Sequence, residues 1–140
     1  MDGKIVLNYT VDGNDYHSAG EASSNVKKKL KQIGINPEAI RRSVIAMYEG
    51  EINMVIHANG GTATVEITPQ KIHIILADNG PGIADINLAM KEGYSTASEE
   101  ARNLGFGAGM GLPNIKKYTD EFEIETEVGK GTTLKMTINC

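Results

Sequence analysis

The chain has 140 residues, with 14 Lys and Arg against 18 Asp and Glu, and a formal net charge of −4. That length suits one domain, residues 1–140, with a single core, and the acidic balance argues against nucleic-acid binding, because the surface as a whole repels a polyanion. A single cysteine, Cys140, excludes an intrachain disulfide and a cysteine metal centre; no apolar run approaches the roughly 20 residues that cross a bilayer, and Met1–Lys4 leads into an alternating segment, so a soluble, cytoplasmic chain without a membrane contact is expected.

Ile5, Leu7, Tyr9 and Val11 alternate with polar residues, which predicts a half-buried strand over 4–11, closed by the turn Asp12-Gly13-Asn14-Asp15. From Glu21 the apolar positions fall at Ala22, Val26, Leu30 and Ile33, a helical spacing that Gly34 ends as a C-cap. Asn36-Pro37-Glu38 opens a second helix with an N-cap residue, a first-turn proline and an acid; it runs to Ala58, before Asn59-Gly60-Gly61. Strands follow at 62–68, with Val65 and Ile67 inward, and at 71–77, around a turn at Pro69-Gln70. The second of these feeds Asp78-Asn79-Gly80-Pro81-Gly82, a shaped loop at the sheet's end. A short helix is expected near 85–92, then a glycine-rich loop over 93–111, of a length that is usually functional. Leu112-Pro113 begins another helix, and strands at 121–128 and 132–139 form a last hairpin around Gly129-Lys130-Gly131. No regular strand-helix-strand alternation emerges. The class is α+β: a two-layer sandwich, its sheet mixed but mostly antiparallel, with helices on one face.

Glu49, Asn53 and His57 recur every four residues and share one helix stripe, while Val44, Met47, Ile52, Val55 and Ile56 anchor other faces. Asparagine is an indifferent helix former, so Asn53 needs a reason: either an oxygen for Mg²⁺ or simply a solvated stripe. Asp78 with Gly80 and Gly82 offers a carboxylate beside a turn that admits a flat ring, although Asp-Asn-Gly is also ordinary turn chemistry. Gly107, Gly109 and Gly111 alternate just before a helix N-terminus, where backbone N–H groups suit phosphate oxygens. Thr132 stands on the last strand, where its hydroxyl can support Asp78 or a base-bound water, or where plain β-propensity put it. Lys27, Lys28, Lys29 and Lys31, with Arg41-Arg42, read either as solvated helix faces or as partner contacts.

The order of the pieces narrows these alternatives. Helical Glu-x-x-x-Asn, strand then Asp-x-Gly-x-Gly, long loop, Gly-x-Gly-x-Gly-Leu, helix, and a Gly-x-Gly-Thr hairpin resemble the GHKL ATPases, over roughly residues 20–139. Within them the chain is similar to the small bacterial serine/threonine kinases of partner-switching pathways, through Glu92-Gly93-Tyr94-Ser95-Thr96 and Gly109-Met110-Gly111-Leu112-Pro113 to Asp120-Glu121-Phe122. A sensor histidine kinase would need a preceding helix pair with a phosphoacceptor histidine, and gyrase-like or chaperone-like members a transducer domain; neither is expected.

The resemblance implies ATP and Mg²⁺ as cofactors and Glu49 as catalytic base. It gives Asn53 to the metal, Asp78 to the adenine amine and Gly80 and Gly82 to the ring's edge. Gly105, Gly107, Gly109, Met110, Gly111 and Leu112 go to a lid over the triphosphate, and Thr132 to the base pocket. The implied substrate is a STAS-domain protein, with a sigma factor or a phosphatase as further partners and a homodimer allowed. The alternative is an anti-sigma factor, or nucleotide-gated binding module, without essential kinase activity. Glu51 adds a second carboxylate near Glu49 but, at i+2, on another face of the helix; Arg102 and Lys116 are available to phosphate.

Overall fold

Alternation of apolar side chains with Thr, Glu, Lys and Asn gives each strand one face for the core and one for solvent. The computed structural model describes residues 3–13, 19–58, 60–83, 86, 90 and 111–140. Its strands are β1 (Ile5–Asp12), β2 (Gly60–Ile67), β3 (Lys71–Ala77), β4 (Glu121–Glu127) and β5 (Gly131–Asn139), joined in the order β1-β2-β3-β5-β4. All four pairings are antiparallel, so among the described strands the expected mixed sheet is wholly antiparallel.

Register carries one row of side chains, Leu7, Val65, Ile74, Met136 and Phe122, across all five strands on the inner face. Its middle members are fully buried, each worth about 1.5–3 kcal/mol relative to exposure. The row one residue on, Asn8, Thr64, Ile75, Lys135 and Glu123, lies on the other face. Ile75 therefore faces away from the core despite its apolar neighbours, because alternation outranks local hydrophobicity.

Helices α1 (Glu21–Ile33), α2 (Pro37–His57) and α3 (Gly111–Tyr118) cover the inner face. The ends of the first two obey the capping chemistry read from the sequence: Gly34 turns left-handed after α1, and the Asn36 side chain accepts a hydrogen bond from the Glu38 N–H at the start of α2. Of the short helix expected near 85–92, Ile86 and Met90 are described, linked by a helical i to i−4 hydrogen bond; its other residues, like 93–110, fall outside the described part.

Gly50 sets the middle of the layer. A Cβ there would stand 2.2 Å from Leu76 and 3.1 Å from Met136, so only glycine lets α2 settle this deeply on β3 and β5. With about 100° per residue, the side chains on either side of a sheet-facing Gly50 swing to opposite flanks. Glu49 turns to α3, and Glu51 turns to α1.

Candidate functional site

Along α2, three successive contacts mark out a line. Ala58, just past its C-terminus, would touch a Cβ on Gly80 at 2.6 Å; Asn53 would meet a Cβ on Gly111 at 3.0 Å; Glu49 meets Asn114. At 1.5 Å per residue, Ala58 and Glu49 are about 13 Å apart along the axis, a run suited to an extended nucleoside triphosphate.

At one end of this line stands Asp78, delivered by β3. Its Oδ1 accepts hydrogen bonds from the Gly80 N–H (2.9 Å) and the Thr132 N–H (3.1 Å), while its own N–H donates to the Thr132 carbonyl. Among the described residues no hydrogen bond uses Oδ2. One oxygen is fixed by the backbone and the other remains to accept from a ligand amine. Gly131 makes this approach feasible, since a Cβ there would lie 2.1 Å from the Asp78 carbonyl oxygen, at φ +130°.

Support for Asp78 thus comes from the Thr132 backbone rather than its hydroxyl, which lies 2.9 Å from the Thr126 hydroxyl. Thr126 also accepts the Ile83 N–H and ties the Asp78 loop to β4. Gly82 has a reason of its own here: a Cβ would strike the Glu127 carbonyl oxygen at 2.5 Å, at φ +77°.

At the other end, Glu49 is half-buried and burial pushes its pKa above an ordinary glutamate's, opposed by the hydrogen bond that the Asn114 amide donates to Oε1 (3.4 Å). Asn53 lies one turn further on, its amide against the glycine that starts α3. A neutral amide oxygen suits Mg²⁺, which takes few protein ligands and completes its octahedron with phosphate and water. The donor set therefore fits a metal that arrives on a nucleotide; among the described residues no group of three His, Cys, Asp or Glu could cage one. His57 is on the same stripe, and burial lowers its pKa, which favours the neutral ring at pH 7.

Leu112 is buried beneath the first turn of α3 and serves packing there. Gly105, Gly107, Gly109, Met110 and Arg102 lie outside the described residues. Lys116 is exposed and lines a cavity of about 460 Å³ with Met90, Phe122 and Ile124, which shares no lining residue with the site.

Two residues have roles that escaped the sequence reading. Asn114 is one, although the argument applied to Asn53, an indifferent helix former inside a helix, points to it equally. Glu51 is the other. It is 2% exposed, and accepts hydrogen bonds from the Gly20, Ala22 and Ser23 N–H groups (2.8, 3.2 and 3.0 Å) and from the Ser23 hydroxyl (2.9 Å). It caps α1, whose own cap residue Gly20 has no side chain to do so; that lack was the available signal.

A sheet-end carboxylate, a helical Glu-x-x-x-Asn stripe and a glycine-initiated helix across from it make up the candidate site. Residues 14–138 match the family described as the histidine kinase-like ATPase domain, and the chain belongs to that family, whose membership implies use of ATP. Among relatives, it is 31% identical to the serine/threonine-protein kinase RsbT of Bacillus subtilis over 125 residues, 86% of each chain. It is 37% identical to the anti-sigma F factor of a Thermoanaerobacter species over 100 residues, which cover 71% of this chain but 62% of that one. A solved structure of the RsbU and RsbW domains of a Mycobacterium tuberculosis protein matches 96% of this chain and 32% of that chain, with a TM-score of 0.66 at 18% identity, a likeness of fold. No helix among the described residues is long and apolar enough to cross a membrane.

Proposed function

We propose that the chain, as one domain over residues 1–140, is an Mg·ATP-dependent protein serine/threonine kinase of a bacterial partner-switching pathway that phosphorylates a STAS-domain protein. The observation that carries this reading is the placement of Glu49, half-buried and one helical turn from Asn53, at the end of the line opposite Asp78. A carboxylate there is positioned for an acceptor hydroxyl, not for the purine. The likeness to RsbT over most of both chains supports it.

In this reading Oδ2 of Asp78 accepts the adenine amine, with Gly80, Gly82 and Thr132 shaping the edge of the pocket. Asn53 gives its oxygen to Mg²⁺, and Gly111 lies against the phosphates. Bound Mg²⁺ would supply neutralisation of charge on the transferring phosphoryl group. Glu49 orients the serine hydroxyl of the partner and takes its proton as the serine oxygen bonds to the γ-phosphorus and the β–γ bridge breaks, releasing ADP. Positioning does most of the remaining work. Incubating the purified chain with Mg·ATP and STAS-domain proteins encoded near it tests the proposal by transfer of labelled γ-phosphate. A chain that binds ATP yet labels none of them would overturn it.

The similarity to anti-sigma F factors favours a second reading, in which nucleotide shapes a surface that holds a sigma factor. Co-purification of a sigma factor, dependent on nucleotide and indifferent to Glu49→Gln, would select it over the kinase.

A further inference from the structure

We infer that Asn114 is a positioning residue for Glu49: its amide grips one carboxylate oxygen and so turns the other toward the acceptor hydroxyl. The inference rests on the reading of Glu49 as the base. Gly111 and Asn114 are three residues apart on α3 and share a face. That face lies on α2, where Gly111 abuts Asn53 and Asn114 donates to Glu49, two residues themselves one turn apart. One turn of α3 therefore registers both the amide offered to the metal and the carboxylate offered to the substrate.

The residue type is informative. Asn114 is partly buried on the face of α3 that meets α2, where an aliphatic side chain would gain packing. It has an amide instead, and asparagine lowers helix propensity. What the amide adds is a donor to a carboxylate that has no ion-pair partner among the described residues. From α3 the group reaching Glu49 is this uncharged one; on α2 its charge is felt by the neighbouring Tyr48, while the Glu51 carboxylate is turned to α1. A carboxylate left without the donor would rotate about its last torsion and present either oxygen. At 3.4 Å the bond is long, as hydrogen bonds to catalytic groups often are before a ligand tightens the site.

The test uses the whole chain labelled with ¹³C at glutamate carboxyls, with the Glu49 resonance assigned by its loss in Glu49→Gln. In Asn114→Leu the Glu49 titration midpoint should rise by about half a unit or more, because burial is no longer opposed by a bond to the charged form. Phosphate transfer should fall about tenfold, while Mg·ADP affinity, read by calorimetry, stays within about twofold, the mark of a residue that acts on the transferring step. Asn114→Gln should recover part of both midpoint and rate; if Asn114→Leu does not fold, Asn114→Ala reads the same midpoint. An unmoved midpoint overturns the inference. So does a loss of Mg·ADP affinity equal to the loss of rate, which would make Asn114 a packing residue of α3. Glu49→Gln separates the two levels: if that variant transfers phosphate normally, the base assignment fails and takes this inference with it. If Glu49→Gln is inactive while Asn114→Leu is fully active, only the inference falls.

Discussion

At the sheet's end Asp78 is held by peptide groups, two N–H donors on one oxygen and a carbonyl from β5 on its own N–H, with glycines where Cβ atoms would collide. Along the seam between α2 and α3, Glu49 and Asn53 meet their neighbours through side-chain ends instead. A corner built from backbone has one geometry and fails when anything is added to it. A seam built from side chains can adjust by rotamer, which suits the metal and the partner hydroxyl that we propose it meets. If this contrast holds, seam variants should leave the fold and metal-free nucleotide affinity intact while altering turnover or the Mg²⁺ dependence of binding, and corner variants should cost affinity or stability outright.

The largest effect should come from the seam. Glu49→Gln is expected to lower phosphate transfer by about 100-fold or more, the scale of a lost general base, with Mg·ADP affinity unchanged. The wild-type rate should also carry a signature of burial. Glu49 is raised above an ordinary glutamate, and the base must be ionised, so kcat/KM should fall as pH drops through that raised value. An acid limb at an ordinary glutamate's position, or none, removes Glu49 from the role.

At the corner, Asp78→Asn preserves Oδ1 as acceptor for Gly80 and Thr132 and converts the other oxygen to a donor that faces the adenine amine. Losing that bond and leaving two donors opposed should weaken ATP binding by about 30- to 100-fold, with the thermal midpoint nearly unchanged. Untouched affinity would empty the corner of its purine. Gly131→Ala probes the same corner through volume. Its Cβ would lie 2.1 Å from a backbone oxygen and its φ of +130° suits glycine, so about 2 kcal/mol of stability should be lost in urea unfolding. A smaller cost would mean that the loop gives way and that its geometry is not fixed.

This contrast also explains what was legible in the sequence. Elements could be read because their signals are local: alternation in β1, Asn36-Pro37 at the start of α2, Gly34 at the end of α1. The corner was visible because a strand leading into Asp78-x-Gly80-x-Gly82 announces itself within five residues. What the glycines touch was not, since Glu127 and Asp78 approach Gly82 and Gly131 across long stretches of chain. The seam was half visible. The shared face of Glu49 and Asn53 follows from helical geometry alone, whereas α3 as its neighbour is a fact of tertiary packing. Glu51 was placed correctly on a different face from Glu49, yet that face proved to be interior, because α1 lies against it and needs an acceptor for its first N–H groups.

The smallest predicted effect is also the sharpest test of an adjustable seam. A Cβ on Gly111 would stand 3.0 Å from Asn53 Oδ1 and 3.1 Å from Nδ2, a contact that a side-chain amide relieves by moving a few tenths of an ångström. Alanine is also the better helix former, so Gly111→Ala gains about 0.5–1 kcal/mol of helix propensity against that small displacement. The thermal midpoint should therefore hold or rise slightly. Mg²⁺-dependent nucleotide binding should nevertheless fall, by about three- to fivefold, because the displaced oxygen no longer meets an octahedron that tolerates little distortion. Nucleotide binding measured without Mg²⁺ should be unaffected. Calorimetry with and without the metal reads the difference directly, and an equal loss in both conditions would show that Gly111 acts on the phosphates rather than through Asn53.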